Sequence, residues 1–418
     1  MSAAVVVLML TLLLGIQPVS TDLYLPALPT LQHDLHAPLT AAQMTLSALI
    51  LCFGVSQLVW GPLADRFGRR PVLLAGLALY TVASVFSALA SSIDALVAWR
   101  AVQGAAMAAA VTCGRSVVRD LYLPHEGARV LSRALSGLGV IAMLSPVIGA
   151  LLAQWRGWPA TLMATALFGA VTLGFVALRF EETVPALNPQ ATRLRPLLHN
   201  WGVVLRNPTF RAWVALLCCT WGGLFFLLAG SSFVFINVLG TSKLAYGAIL
   251  ATGSVAYVTG TWLCRRLLLR HGLRGTVRRG AVLSLAGGLS MAVLSLAGVE
   301  SVWAIMLPQW LYALGHGIHQ PCGQAGAVGP FPDKAGTAAS LSGFAMMLTA
   351  FAVSQWLGHT LDHSVLPLTL GVGLFSVLLA GVALTLVQRH GDPHPHPHPH
   401  PHLHPPLRPA KAAPAATA

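Results

Sequence analysis

Gly61-Pro62-Leu63-Ala64-Asp65-Arg66-Phe67-Gly68-Arg69-Arg70 forms a short charged turn between two apolar runs, 43–62 and 71–90. Each run supplies the roughly 20 apolar residues that an α-helix needs to cross a bilayer, and the glycines permit a tight reversal between them. Further runs fall near 3–27, 94–114, 132–153 and 158–178, and after a polar stretch near 209–230, 245–264, 280–298, 302–328, 336–358 and 365–388. The runs are continuous rather than alternating, which points to helices and against a β-barrel. The fold expected is an all-α membrane protein with twelve transmembrane helices in two pseudo-symmetric six-helix bundles. The boundaries are an N-terminal bundle at 1–178, a linker at 179–208, a C-terminal bundle at 209–390 and a disordered His/Pro-rich tail at 391–418.

Composition agrees with this reading. The 418 residues are 56% hydrophobic and only 9% charged, against about 25% charged in a soluble domain, which excludes a soluble enzyme. The net charge of +13 is spread between apolar runs instead of lying on one soluble face, so nucleic acid is not an expected partner. Of the 25 Lys and Arg residues, only Arg100, Arg156 and Lys243 fall outside the loops and ends on one side of the membrane. The positive-inside rule places that side, with both termini, in the cytoplasm. The first run lacks a preceding basic residue and a small-residue cleavage site, and reads as a retained helix. Cys52, Cys113, Cys218, Cys219, Cys264 and Cys322 show no zinc or redox spacing and read as core thiols.

The turn at 61–70 carries more than topology. Asp65 with Arg69 and Arg70 can form a charged cluster at the membrane face, with Gly61, Arg66 and Gly68 completing the turn. Arg119-Asp120, at the same end of the fourth run, adds a second acid and base, and such pairs suit a latch that holds one state and releases in another. The loop after the eighth run repeats the theme with Gly260, Arg265, Arg266, Gly272 and Arg274. Paired six-helix halves suit a transporter whose bundles rock about a site between them.

On these residues the chain resembles the major facilitator superfamily, and within it the twelve-helix drug:proton antiporters. Gly61–Arg70 matches the family's loop motif G-x-L-A-D-R-x-G-R-R, and Arg100-Ala101-Val102-Gln103-Gly104 matches R-x-x-Q-G. Thr21-Asp22-Leu23-Tyr24-Leu25-Pro26-Ala27-Leu28-Pro29 and Val118-Arg119-Asp120 are similar to the bicyclomycin-resistance and chloramphenicol-exporter branch. The fifth-run motif G-x-x-x-G-P-x-x-G-G is altered: Ile141 and Ser145 replace two glycines, while Ser145, Pro146 and Gly149 still allow close packing and a bend. The resemblance implies a monomeric transporter of the bacterial inner membrane, without cofactors, exporting small, largely apolar organic compounds in exchange for protons. An importer or facilitator of a small metabolite on the same fold is the alternative. Neither a P-loop nor an H-E-x-x-H metal motif is present, so ATP drive and intramembrane enzyme chemistry are not expected.

Asp22 is the candidate proton carrier, because an ionisable group within a span is costly and points to function. Asp22 lies six residues before Leu28 at the outer end of the first run and Arg100 six after Asp94 at the outer end of the fourth, each about 9 Å deep, so both belong to the candidate coupling site. Gln57, Gln103, Trp221, Phe225, Asn237 and Tyr257 are candidates for a substrate cavity. His316 and His319 share a helix face as a candidate hydrogen-bonded pair in that cavity; with no acid in their span they are not read as a metal site. The His-Pro repeat from His394 to His404 forbids a helix and reads as a solvated tail whose imidazoles chelate Ni, Cu or Zn weakly at most.

Overall fold

Breaks in the apolar pattern are where the chain turns. A computed structural model describes residues 2–122, 124–184, 187–361 and 364–392, with backbone alone at 119, 124, 125, 128 and 129. The His-Pro repeat and the side chain of Arg119 therefore lie outside the described residues. Helix α1 (Ala3–Thr21) leads through a 3-10 turn, Leu25–Ala27, into the short α2 (Leu28–Asp34). Helices α3 (Leu39–Phe67), α4 (Arg69–Ala88), α5 (Ile93–Leu121), α6 (Pro124–Arg156) and α7 (Trp158–Arg179) complete the first bundle. After the linker helix α8 (Leu194–Arg206) come α9 (Pro208–Phe233), α10 (Lys243–Leu296), α11 (Val302–Val328), α12 (Ala335–Thr360), α13 (Leu366–Leu384) and the short α14 (Leu386–His390).

Ten of these segments are long and apolar enough to cross a membrane. The 54-residue α10 is two crossings joined at Gly272, whose φ of 62° no longer follows the helix. Helix α11 is the twelfth, its apolar run diluted by Gln309, His316, His319, Gln320 and Gln324. Side-chain caps start several spans: Ser92 accepts from the backbone N–H of Ala95 at 3.2 Å, Ser301 from that of Ala304 at 3.1 Å. At Gly68 a φ of 100° reverses the chain between α3 and α4, a conformation that favours glycine. Exposed Leu167, Leu178 and Leu269 on the outside of the fold suit contact with lipid chains.

The two bundles meet along two antiparallel helix pairs. Helix α3 packs on α12, from Gln43 beside Gly358, through Ser47 donating to or accepting from Ser354 at 2.7 Å, to Gln57 beside Gly343. Helix α6 packs on the first arm of α10, where Gly247 lies against the carbonyl of Pro146 and Gly139 against Val258. Exchanging the halves maps one pair onto the other, the relation expected of pseudo-symmetric bundles. Ser145 donates to the Ile141 carbonyl at 2.7 Å, and Gly149, one turn beyond Ser145, lets the backbone of Leu23 cross directly over α6. The altered fifth-run motif thus lies where α6 meets both the end of α1 and the second bundle.

A β carbon at 149 would collide with the Leu23 carbonyl, while one at Gly174 meets nothing within 4 Å. Gly149→Val is therefore expected to destabilise the protein by about 1–3 kcal/mol, the usual cost of overpacking, and Gly174→Val to be close to neutral. Thermal unfolding of the two variants, followed by size-exclusion chromatography in detergent, checks this difference.

Candidate functional site

The charged turn folds back onto its own bundle. Arg69, only 4% exposed, pairs with Asp65 at 2.7 Å and with Asp120 at 3.1 Å. Thr183 adds a hydrogen bond to the same Asp120 oxygen at 3.3 Å, and Arg66 donates to the Thr192 hydroxyl at 2.5 Å. Arg70 reaches the carbonyl of Ala177 at 3.1 Å, and the backbone N–H of Asn188 donates to the Asp65 carbonyl at 2.9 Å. Gly61 faces Thr112 of α5. The sequence reading missed the central acceptor. Glu182 receives the N–H groups of Arg69 at 2.9 Å and Arg70 at 3.0 Å, the first turn of α4, and those of Thr183 and Val184. An anion is favoured at a helix N-terminus, where free N–H groups and the helix dipole converge. Gly68 leaves the room: a β carbon there would touch the Glu182 carboxylate. Partial burial works to raise the pKa of Glu182, but the four donors overcome it and hold the carboxyl below its ordinary range.

Between the bundles lies a cavity of about 190 Å³, open at the arginine-rich end and lined by Gln57 of α3, Thr112, Arg115 and Ser116 of α5, and Ala339 and Ser340 of α12. The opposite end is closed. There α2 and the Leu25–Ala27 turn pack on α9, that turn also touches α10, and Gln43 donates to the Ala229 carbonyl at 3.5 Å. A larger groove of about 670 Å³, lined by Phe226, Trp356 and Phe375, lies wholly between α9, α12 and α13 and does not join the bundles.

Asp22 and Arg100 are at similar depth but face different neighbours. Arg100 is fully buried and donates to the carbonyl of Ser20 at 2.9 Å, to Gln103 at 2.7 Å and to the carbonyl of Thr45 at 3.4 Å. Its guanidinium stacks 4.4 Å from the centre of the Tyr24 ring. Gln103 passes the network to Ser84 at 2.7 Å, so it belongs to this buried core and not to the cavity. Asp22 is partly exposed, accepts from the Thr21 hydroxyl at 2.8 Å and lies within electrostatic reach of Tyr246 in the second bundle. Among the described residues no ion pair joins it to Arg100.

In the second bundle, three candidates cluster. Trp221 packs edge-on against His316 with ring centres 5.5 Å apart, and Tyr257 lies 5.6 Å from the same imidazole. Tyr257 donates to Gln320 at 2.6 Å, and His316 bonds Thr220 at 2.9 Å. His319 turns instead to α10, with Ser284 at 3.5 Å and the Val277 carbonyl at 3.3 Å, so the two histidines do not bond each other. Phe225 is buried in the core, and Asn237 is exposed in the π-helical turn Val234–Val238. No group of three metal-ligating side chains occurs among the described residues. Cys264 and Cys322 meet across α10 and α11, sulfur to sulfur at 3.5 Å, a proximity that 58 residues of separation conceal in the sequence.

Comparison with known proteins adds the wider frame. Residues 10–354 match the profile described as Major Facilitator Superfamily. Multidrug resistance protein D of Escherichia coli is 30% identical over 336 residues, 80% of this chain and 84% of that protein. A chloramphenicol resistance protein of Pseudomonas aeruginosa is 30% identical over 346 residues, 80% of this chain and 79% of its own length. Among solved structures, the xylose transporter XylE from E. coli, in a partially occluded inward open conformation, superposes with a TM-score of 0.71 at 13% identity, covering 93% of this chain and 99% of that one.

The depressed pKa of Glu182 has a definite pH signature. Its contribution is complete above the ordinary carboxylate range, about pH 4.3, and is lost only as pH falls through the lower folded value. Glu182→Ala is expected to melt a few degrees below the parent protein at neutral pH, with the gap constant on mild acidification and closing in stronger acid. Melting curves of both proteins across that range read it directly.

Proposed function

The chain belongs to the major facilitator superfamily, and from that premise we propose that it exports small, largely apolar organic compounds by alternating access, driven by protons. Members of this superfamily are transporters and not enzymes, and many helices here are long and apolar enough to span a membrane. The observation that carries the proposal is the cavity between the bundles, open at one end and closed at the other. Such a chamber is one of the two states that alternating access requires. Relatives named for multidrug and chloramphenicol resistance support a drug-like cargo.

In this reading the moving units are residues 1–178 and 209–390, joined by 179–208, and the protein works as a monomer in the bacterial inner membrane. The arginine-rich end faces the cytoplasm together with both termini, following the distribution of Lys and Arg. The cavity would then load from the cytoplasm. The charged turn would act as a cytoplasmic latch, engaged here only within its own bundle and linker. Asp22 would carry the proton: it is the sole Asp or Glu away from the ends of an apolar run and lies at the bundle interface, within reach of Tyr246. Arg100 would position the end of α1, on which Asp22 sits. Trp221, Tyr257 and His316 pack on one another in the second bundle and are not among the residues that line this cavity.

Asp22→Asn is expected to reduce proton-driven efflux at least tenfold while leaving downhill exchange of the same compound intact. Purified protein in vesicles with an imposed pH gradient, assayed with chloramphenicol and a panel of other antibiotics, separates the two activities. Undiminished uphill efflux by the variant would remove Asp22 from the coupling step, and uphill uptake by the parent protein would favour an importer.

A further inference from the structure

The cavity between the bundles has an unusual chemical bias. Among the described residues Arg115 is the one charged side chain on its wall, and no acid lines it. Arg115 is exposed to the cavity and forms no hydrogen bond or ion pair with any described residue. Asp120, the acid nearest in sequence, is engaged by Arg69, as is Asp65 in the last turn of α3. Gln57 is only 4% exposed, yet its carboxamide lines this cavity and also has no partner among the described residues. Glycine at 343 makes room for it, since a β carbon there would lie 2.5 Å from the Gln57 amide oxygen. Thr112 and Ser116 stand one helical turn apart on the α5 face that presents Arg115, and their hydroxyls point to no other described partner.

The Gln57 amide is reached from the cavity rather than sealed in the packing, so its donor and acceptor are free for a ligand. Here a guanidinium, an amide and two hydroxyls line one chamber, and together they can offer several donors to a single group. The planar fork of arginine fits a carboxylate with two parallel hydrogen bonds. Walls of low dielectric strengthen that attraction relative to bulk water. Ala339, by contrast, offers the rest of the ligand an apolar surface. We propose that Arg115 and Gln57 form an anion-selective subsite, so that the cargo class of this transporter is small apolar compounds bearing a carboxylate or comparable anionic group. The same positive wall disfavours simple organic cations. This deepens the efflux reading and rests on it for the word cargo, but the binding site stands on the cavity alone.

The test is equilibrium binding of naphthoate and its methyl ester to the full chain in lipid nanodiscs. The parent protein is expected to bind the acid more tightly than the ester. Arg115→Gln is expected to weaken acid binding at least about tenfold, as loss of a charge-assisted pair should, with ester binding unchanged as the check on folding. Arg115→Lys, which keeps the charge but loses the fork, should fall between the parent protein and Arg115→Gln in acid affinity, and Gln57→Leu should lose several-fold. Acid and ester falling together, acid binding indifferent to Arg115→Gln, or a parent protein preferring the ester would each overturn the proposal. Acid preference without proton-driven efflux would refute the transport reading and leave this subsite standing; efflux without acid preference would do the reverse.

Discussion

A guanidinium with no carboxylate, sealed among helices, holds the first bundle in register. Arg100 donates to the carbonyl of Ser20, which belongs to the last turn of α1 and has no partner within its own helix. The negative end of the helix dipole lies at that same place. Thr45 supplies a second carbonyl from α3, Gln103 a side-chain acceptor and Tyr24 a π face. One residue of α5 therefore ties together α1, α3 and the turn after α1. A neutral residue would leave those carbonyls orphaned in a medium that offers no water, and a lone arginine without them would be too costly to bury.

That anchorage has a consequence for Asp22. Helix α1 ends at Thr21, and the chain then turns through Leu25–Ala27 beneath Gly149 of α6. The end of α1 is capped by Arg100, yet among the described residues no ion pair joins Asp22 to that arginine, while Asp22 lies within electrostatic reach of Tyr246 of the other bundle. The fixed positive charge and the titratable carboxyl are thereby separated. In the proposed coupling role, a close ion pair would hold the carboxyl ionised, and without one its proton occupancy would respond to water and to movement of the second bundle.

Much of this was legible in the chain. The apolar runs gave the twelve spans because lipid admits few alternatives for the backbone, and Gly272 marks the turn inside α10. Depth was legible as well, since residues from a helix end convert to distance. Azimuth was not: residue counts place Asp22 and Arg100 at one level but say nothing of which helix each faces. The same limit explains His316 and His319, which share a helix face and yet serve α9 and α10 separately. Glu182 was hidden for another reason. It lies over a hundred residues from the N–H groups it binds, and a single acid in a polar linker has no local signature.

The contacts that close one end and those at the other differ in kind. Between α6 and α10, Gly247 on the Pro146 carbonyl and Gly139 on Val258 let helices of different bundles touch, so separation exchanges many weak contacts at once. At the arginine-rich end the charges are spent inside the first bundle and its linker: Arg69 on Asp65 and Asp120, Glu182 on the start of α4. Among the described residues no ion pair at that end joins the two bundles, and closing it needs new partners for groups that already have old ones. Any compound that bridges Gln57 and Arg115 on one side to α12 on the other would supply such contacts from within the cavity. On the proposed subsite, cargo would favour closure through its own chemistry, and Arg115, without a partner among the described residues, would set which chemistry that is.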